Sequence, residues 1–182
     1  MMRRREFITL LGSAAAAWPL AAQAQQPAMP VIGFLHSGSS TSTTQLRRSF
    51  HDGLAEGGYT DGINVSVEYR WAGDHHERFP ELAADLVKRA VSVIVAVGSP
   101  AVSAVKAATT TVPVVFYVGV DPVLFGLVES LNRPGGNLTG VTNFSLEMGP
   151  KRLQLMAELL GSRRLAVLLN PGALQPTRRP RA

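Results

Sequence analysis

Residues 91–97 read VSVIVAV, a run in which only Ser92 is polar. A strand that is buried on both faces needs an almost unbroken apolar run of this kind, and such strands lie inside parallel sheets. We therefore predict a central parallel strand at 91–97, and the remaining elements are placed outward from it.

Further apolar runs lie on both sides of this strand. The predicted strands are PVIGFL (30–35), INVSVEYRW (63–71), VPVVFYV (112–118), LTGVT (138–142) and RLAVLLN (164–170). In 63–71 the apolar residues alternate, which directs Ile63, Val65, Val67 and Tyr69 to one side. The run 112–118 predicts a second buried strand.

Helical patterns separate these strands. Between Thr43 and Gly57, apolar residues recur every four positions and share one helix face. The next helix is predicted over 74–90, with Asp74 as its cap and Glu77 as the third residue of its first turn. Its inward residues are predicted to be Leu82, Leu86, Val87 and Ala90.

Three more helices complete the pattern. Ser99 and Pro100 suit the cap and first residue of a helix that ends near Thr110. A helix from about Pro122 to Leu131 is plausible, and the turn NRPGGN (132–137) follows it. The helix from Lys151 to Leu160 is predicted to face inward with Leu153, Met156, Ala157 and Leu160.

Strands that alternate with helices predict an α/β fold, a doubly wound parallel sheet with helices on both faces. Ligands of such sheets bind beyond the carboxyl ends of the strands. The loops that follow Leu35, Val97, Val118 and Val141 are therefore the places to look for a site.

Two of these loops carry small polar residues. Ser37 lies in the loop after the first strand, which can donate hydroxyl and amide hydrogens or can be a plain turn. Gly98 lets the backbone approach a ligand closely. Ser99 follows at a helix N-terminus, where free amides and the helix dipole favour an anion such as a carboxylate. The alternative is that Ser99 only caps its helix.

Asp121 follows the fourth strand, and two roles are open for it. Its carboxylate can receive a ligand ammonium or hydroxyl group, or it can cap the helix that Pro122 begins. The two roles are compatible.

Several chemistries are disfavoured. The loop after the first strand lacks the G-x-G-x-x-G spacing of a dinucleotide site. The nucleophile elbow of hydrolases, G-x-S-x-G, has glycines two positions before and after the serine, where Ser99 has Val97 and Ala101. His75 and His76 are adjacent and therefore point apart, whereas zinc ligands on a helix are three or four residues apart. The chain has no cysteine. We expect a protein that binds rather than reacts, with no cofactor and no metal.

The two ends of the chain differ from its middle. The stretch MRRREFITLLGSAAAAWPLAAQAQ has a basic head, a short apolar segment and an A-x-A site, as in a secretory signal. Arg4-Arg5-Glu6-Phe7 resembles the twin-arginine pattern. We predict cleavage near Ala24 and a periplasmic protein. The net charge of +5 is concentrated in Arg3–Arg5 and in Arg178, Arg179 and Arg181, so a nucleic-acid partner is not expected.

The stretch from Met29 to about Pro171 resembles the substrate-binding proteins of ABC importers, of the tryptophan/tyrosine type. The matching segments are PVIGFLHSG, GLAEGGYTDGINVSVEYRWAGD, FPELAADLVKRAVSVIVAVGSPA, AATTTVPVVFYVGVDPVLFGLVESLNRPGGNLTGV and KRLQLMAELL. The resemblance implies a two-lobed type I periplasmic binding protein that clamps a small solute, such as an aromatic amino acid, and docks on a membrane permease. It places Ser37, Gly98, Ser99 and Asp121 near the ligand, and Asn143 near the crossover between lobes.

The end of the chain departs from this family. We expect a signal peptide at 1–24, an N-terminal binding lobe at 29–161, the start of a second lobe at 162–171, and a disordered basic tail at 172–182 that reflects truncation. One lobe supplies one wall of a cleft, so we expect weak or no ligand binding by this chain alone. The alternatives are a periplasmic sensory lobe and, less favoured, a hydrolase or isomerase.

Overall fold

The computed structural model describes residues 29–145, 148–161, 164 and 166. The strands are β1 (Val31–His36), β2 (Ser66–Trp71), β3 (Val93–Val97), β4 (Val114–Val118) and β5 (Leu138–Thr142). The helices are α1 (Thr44–Glu56), α2 (Phe79–Lys88), α3 (Ser99–Ala108) and α4 (Gly149–Leu160). A turn of 3-10 helix, His76–Arg78, leads into α2.

The five strands form one sheet in the order β2-β1-β3-β4-β5. Every neighbouring pair is parallel, and β3 lies at the centre. The predicted α/β fold with a parallel sheet is confirmed, and so is the central position of the apolar run that contains β3.

The main hydrophobic core lies on the face of the sheet that α2 and α3 cover. It contains Leu35 of β1, Ile94 of β3 and Phe116 of β4, packed against helix residues such as Leu86 and Val105. A Cβ added to Gly33 in β1 would meet Leu86 at 3.0 Å, so α2 packs directly on the β1 backbone.

Ionic contacts tie the edge strand β2 to the same helix. Arg70 of β2 donates to Asp85 of α2 at 2.7 Å and to Glu68 at 2.8 Å. The Arg70 guanidinium holds the pKa of the Asp85 carboxyl below its usual value. Because Glu68 lies on β2 itself, the contact with Asp85 joins strand to helix and the contact with Glu68 holds the guanidinium in place.

The opposite face is only partly covered. Phe50 of α1 packs on Phe34 of β1 with ring centroids 5.0 Å apart, so α1 lies over β1 and β2. Helices therefore flank both faces, as predicted. On β4 this face is open, with Val115 41% and Tyr117 43% exposed. The prediction of a wholly buried strand at 112–118 is wrong, because only alternate residues of β4 are buried.

Strand β2 begins later than its alternating pattern suggests. Ile63 is 76% exposed and lies in a turn. Asn64 closes that turn by accepting the Thr60 amide at 2.7 Å through its side-chain oxygen. The alternation is genuine only from Val65 onward, where the chain joins the sheet.

The predicted cap of α2 is also wrong. Gly73 and Asp74 both have left-handed backbones, with φ of 62° and 63°, so no helix can start there. The α-helix begins at Phe79, and Glu77 instead accepts from His75 at 3.0 Å. At the other end, Ala90 follows the helix with φ of 52° and is exposed. The prediction that Ala90 faces inward is therefore wrong.

Helix α4 does not bury the predicted stripe against the part of the chain that the structure describes. Leu153, Met156 and Leu160 are exposed, and Ala157 is half-buried. The predicted signal peptide and basic tail lie outside the described residues, as does all but Arg164 and Ala166 of the strand predicted at 164–170. No helix within the described ranges is both long and apolar enough to cross a bilayer.

Candidate functional site

All the loops predicted to carry the site leave the same edge of the sheet. Ser37 follows β1, Gly98 and Ser99 follow β3, Asp121 follows β4 and Asn143 follows β5. Because the strands are parallel, their carboxyl ends share one edge, and these four strands are consecutive in the sheet. The structure thus brings all five residues to this carboxyl edge.

The loop after β1 uses most of its donors internally. The Gly38 amide donates to His36 Nδ1 at 2.8 Å, and the Ser39 amide donates to Ser42 Oγ at 3.0 Å. The carbonyl of Ser37 accepts the Asp74 amide at 2.7 Å, which joins this loop to the one after β2. The hydroxyls of Ser39, Ser42 and Thr43 also bond within this segment, so few of the loop's donors are left for a ligand.

His36, the last residue of β1, is a neutral imidazole in this arrangement. Its Nδ1 accepts a hydrogen bond from Gly38, which requires that nitrogen to be unprotonated. Burial lowers the pKa of His36, and the negative charge of Asp74 opposes this shift. The proton of the neutral ring consequently sits on Nε2.

The loop after β3 has the shape that its glycine predicts. Gly98 has φ of 94° and ψ of 144°, a backbone region that is essentially restricted to glycine. Gly98 itself occupies the N-cap of α3, so Ser99 and Pro100 are its first and second residues. The prediction of Ser99 as the cap is therefore wrong by one position.

The start of α3 still presents an amide donor at the carboxyl edge. The first amides of a helix have no partner within it, and they carry the positive end of the helix dipole. Pro100 contributes no N–H and Ala101 is fully buried, which leaves the amide of half-buried Ser99 as the accessible donor of this turn. The arrangement suits a ligand carboxylate.

Asp121 caps a turn rather than a helix. Its Oδ1 accepts the amides of Val123 at 2.8 Å and Leu124 at 3.2 Å. The segment that follows consists of turns and bends, so the helix predicted from Pro122 to Leu131 is wrong. The capping alternative is observed in this modified form, and the ligand-binding alternative remains a prediction.

Asn143 holds the loop after β5 against β4. Its side-chain nitrogen donates to the Tyr117 hydroxyl at 2.8 Å, and its Oδ1 accepts the Ser145 amide at 3.1 Å. A Cβ added to Gly119 would overlap the Ser145 hydroxyl oxygen. The loops after β4 and β5 are therefore in contact.

Sequence reasoning missed a row of side chains at this edge. The strand register aligns Trp71 with His36, His36 with Val97, and Val97 with Tyr117. Aligned residues of parallel strands project to the same face, here the face that α1 covers in part. The signal was present in the sequence, since each of the three ring-bearing residues is at or next to the last position of its strand.

A cavity of about 220 Å³ lies elsewhere, lined by Lys106, Leu127 and the residues that lead into β5. The Lys106 amine is committed there to the carbonyls of Gly126 and Leu127. No cluster of three or more metal-ligating side chains occurs among the described residues.

Comparison with known proteins adds a family. The family described as ABC transporter substrate binding protein matches residues 31–175. The tyrosine-binding protein of Clostridioides difficile (strain R20291) is 29% identical over 113 residues, which are 62% of this chain and 33% of that protein.

Two solved structures are similar. A conserved domain protein from Vibrio cholerae has 28% identity and a TM-score of 0.66, over 74% of this chain and 45% of that one. An ABC domain in complex with L-Trp from Streptococcus pneumoniae has 31% identity and a TM-score of 0.57, over 62% of this chain and 38% of that one. This chain thus spans between a third and a half of the length of these relatives.

Proposed function

The chain belongs to the ABC transporter substrate-binding protein family, and from this premise we propose that it is a receptor lobe for a small organic solute such as an aromatic amino acid. The observation that carries the proposal is the convergence of Ser37, Gly98, Ser99, Asp121 and Asn143 at one edge of the sheet. Ligands of open α/β sheets bind at this edge.

The ligand class follows from the two relatives whose ligands are known by name. One is a tyrosine-binding protein and the other was solved with L-Trp. An amino acid carries a carboxylate and an ammonium group, and the edge offers a complement to each. The Ser99 amide at the start of α3 suits the carboxylate, and the Asp121 carboxylate suits the ammonium.

The remaining parts of the proposal concern the whole receptor. We place the ligand in a cleft between this lobe (29–161) and a second lobe that begins at 162–171. The protein is exported to the periplasm by the signal at 1–24, which is removed near Ala24. There it delivers its ligand to the membrane permease of an ABC importer.

Asp121 provides the test, because one substitution separates its two roles. In Asp121→Asn the side-chain oxygen still accepts the amides of Val123 and Leu124, so the turn is kept while the negative charge is lost. We expect isothermal titration with L-tyrosine and L-tryptophan to give dissociation constants of about 1 mM for this chain, where one wall buries the ligand incompletely. The variant is expected to bind about tenfold more weakly.

Asp61→Asn is the matched control. Asp61 also accepts a backbone amide, that of Val67 at 2.9 Å, but it lies before β2, at the opposite edge of the sheet. The Asp61→Asn variant should bind both amino acids as tightly as the unsubstituted chain does. Of the two outcomes expected from the sequence, weak binding and no binding, the proposed function requires weak binding, so absence of any amino-acid binding would overturn it. Equal losses in both variants would remove Asp121 from the site.

A further inference from the structure

We infer that Trp71 is the stacking surface for the planar ring of the ligand, with the His36 imidazole as its lateral boundary. This inference rests on the proposed function and deepens it by naming the part of the carboxyl edge that selects an aromatic solute. None of the five residues above could do so, because none has an apolar planar side chain.

The indole ring of Trp71 is the last member of an aromatic stack. Tyr69 and Trp71 lie nearly parallel, with 3° between their planes and 5.4 Å between centroids. Since Tyr69 precedes Trp71 along β2, it covers the indole face that looks back along the strand. The other face looks towards the carboxyl edge, and the neighbouring rings of Phe34 and His36 are tilted by 48° and 57° to the indole and so do not stack on it.

Neighbouring side chains hold the two stacked rings in place. The Tyr69 hydroxyl is 2.7 Å from His51 Nε2, and the Arg47 guanidinium lies 5.2 Å from the Tyr69 ring centroid. Phe34 packs on Tyr69 at 5.3 Å and on Trp71 at 6.0 Å. A surface fixed in this way loses little conformational entropy when a ligand ring is added.

His36 limits the surface on the side of β1. Its ring centroid is 5.9 Å from that of Trp71, and the planes meet at 57°. The bond from the Gly38 amide to Nδ1 fixes the orientation of the imidazole. Two rings at this angle form an L-shaped corner, which admits a flat ring stacked on the indole more readily than a branched or puckered group.

Tryptophan fluorescence gives a direct readout. The chain has two tryptophans, Trp18 and Trp71, so Trp18→Phe in the full chain leaves Trp71 as the only reporter. L-phenylalanine and L-cyclohexylalanine are the probes, since they differ in planarity and π-electrons but little in size. We expect a saturable change in Trp71 emission with L-phenylalanine and a binding constant about tenfold weaker for the saturated analogue.

Trp71→Leu gives the second measurement. Calorimetry should find about tenfold weaker binding of L-phenylalanine and L-tyrosine, and no change for L-leucine. Tyr59→Leu is the matched control, because Tyr59 is an exposed aromatic residue just beyond the end of α1, at the opposite edge. Circular dichroism checks that each variant is folded.

The outcomes distinguish failure of the stacking inference from failure of the proposed function. If aromatic amino acids bind while Trp71 emission stays constant, the stacking inference is wrong and the proposed function stands. The same holds if the saturated analogue binds equally well. If no amino acid binds the unsubstituted chain, the proposed function fails and the inference fails with it. The measurement on Trp18→Phe decides the question even if Trp71→Leu does not fold.

Discussion

His36 couples the stability of the fold to pH. Burial lowers its folded-state pKa below the usual 6.5, so between these two values the unfolded chain binds more protons than the folded chain. The contribution of His36 to the free energy of unfolding is therefore full above pH 6.5, falls as the pH drops towards the folded-state pKa, and is constant below it. Thermal or urea unfolding measured across this range should show the decline.

His36→Asn is the informative variant, because the asparagine Oδ1 can replace Nδ1 as acceptor for the Gly38 amide without titrating. We expect its unfolding free energy to differ from that of the unsubstituted chain by a constant above pH 7 and to lack the His36 part of the decline. An imidazole titration followed by NMR should place the His36 pKa below 6.5. A raised pKa would contradict the half-buried, neutral ring.

At the residue scale, the sequence predicted positions better than contacts. Gly98 and Asp121 could be placed because loops that follow parallel strands must share an edge. The bond from Asn143 to Tyr117 joins residues 26 apart in the chain, and the His36–Trp71 pair joins two strands. Such contacts depend on register, which the pattern of one strand does not specify.

Among the elements, β5 packs against β4 so closely that only glycine fits at position 140. A Cβ added to Gly140 would overlap the Phe116 carbonyl oxygen and lie 2.6 Å from the Phe116 ring. We predict that Gly140→Ala lowers the free energy of unfolding by about 1–3 kcal/mol, with faster amide exchange in β5. Chemical denaturation and hydrogen exchange measure the two effects.

Gly53→Ala is the opposite case within the same chain. Gly53 lies inside α1, and a Cβ there would meet nothing within 4 Å. Alanine in a helix interior is more favourable than glycine by roughly 0.5–1 kcal/mol, so this variant should be more stable. If neither Gly140→Ala nor Gly53→Ala changed the free energy of unfolding, the inferred close approach of β4 and β5 would be wrong.

The elements also show where local patterns mislead. Every strand predicted within the described ranges is present, because apolar runs bounded by turns have few alternatives. The helix predicted after Asp121 is absent: Gly126 adopts φ of 64°, and Asp121 closes a turn instead. Asp74 failed as a cap for the same reason, since its own backbone is left-handed. The sign of the backbone angle φ is not encoded in the spacing of apolar residues.

Over the whole molecule, the sequence could not reveal which half of the sheet is covered. The residues of β4 are apolar on both faces, which is the pattern of a strand enclosed between helix layers. In the structure, the ring contacts of α1 are with Phe34 of β1 and Tyr69 of β2. An apolar area consisting of Val115, Tyr117 and Val141, with half-buried Val95 beside it, is left open among the described residues.

This open area predicts self-association. Contiguous exposed apolar surface is a site of protein–protein contact or aggregation, and its burial in a second copy removes it from water. We expect the sedimentation coefficient of the chain to rise with concentration, and ammonium sulfate to strengthen the effect. The double variant Val115→Thr, Val141→Thr keeps β-branched side chains in both strands and should shift association to higher concentration. Ile63→Thr, at a more exposed residue in a turn at the opposite edge, should not. A chain that sediments as a monomer at all concentrations, or a control variant with the same effect, would rule the open area out as the contact surface.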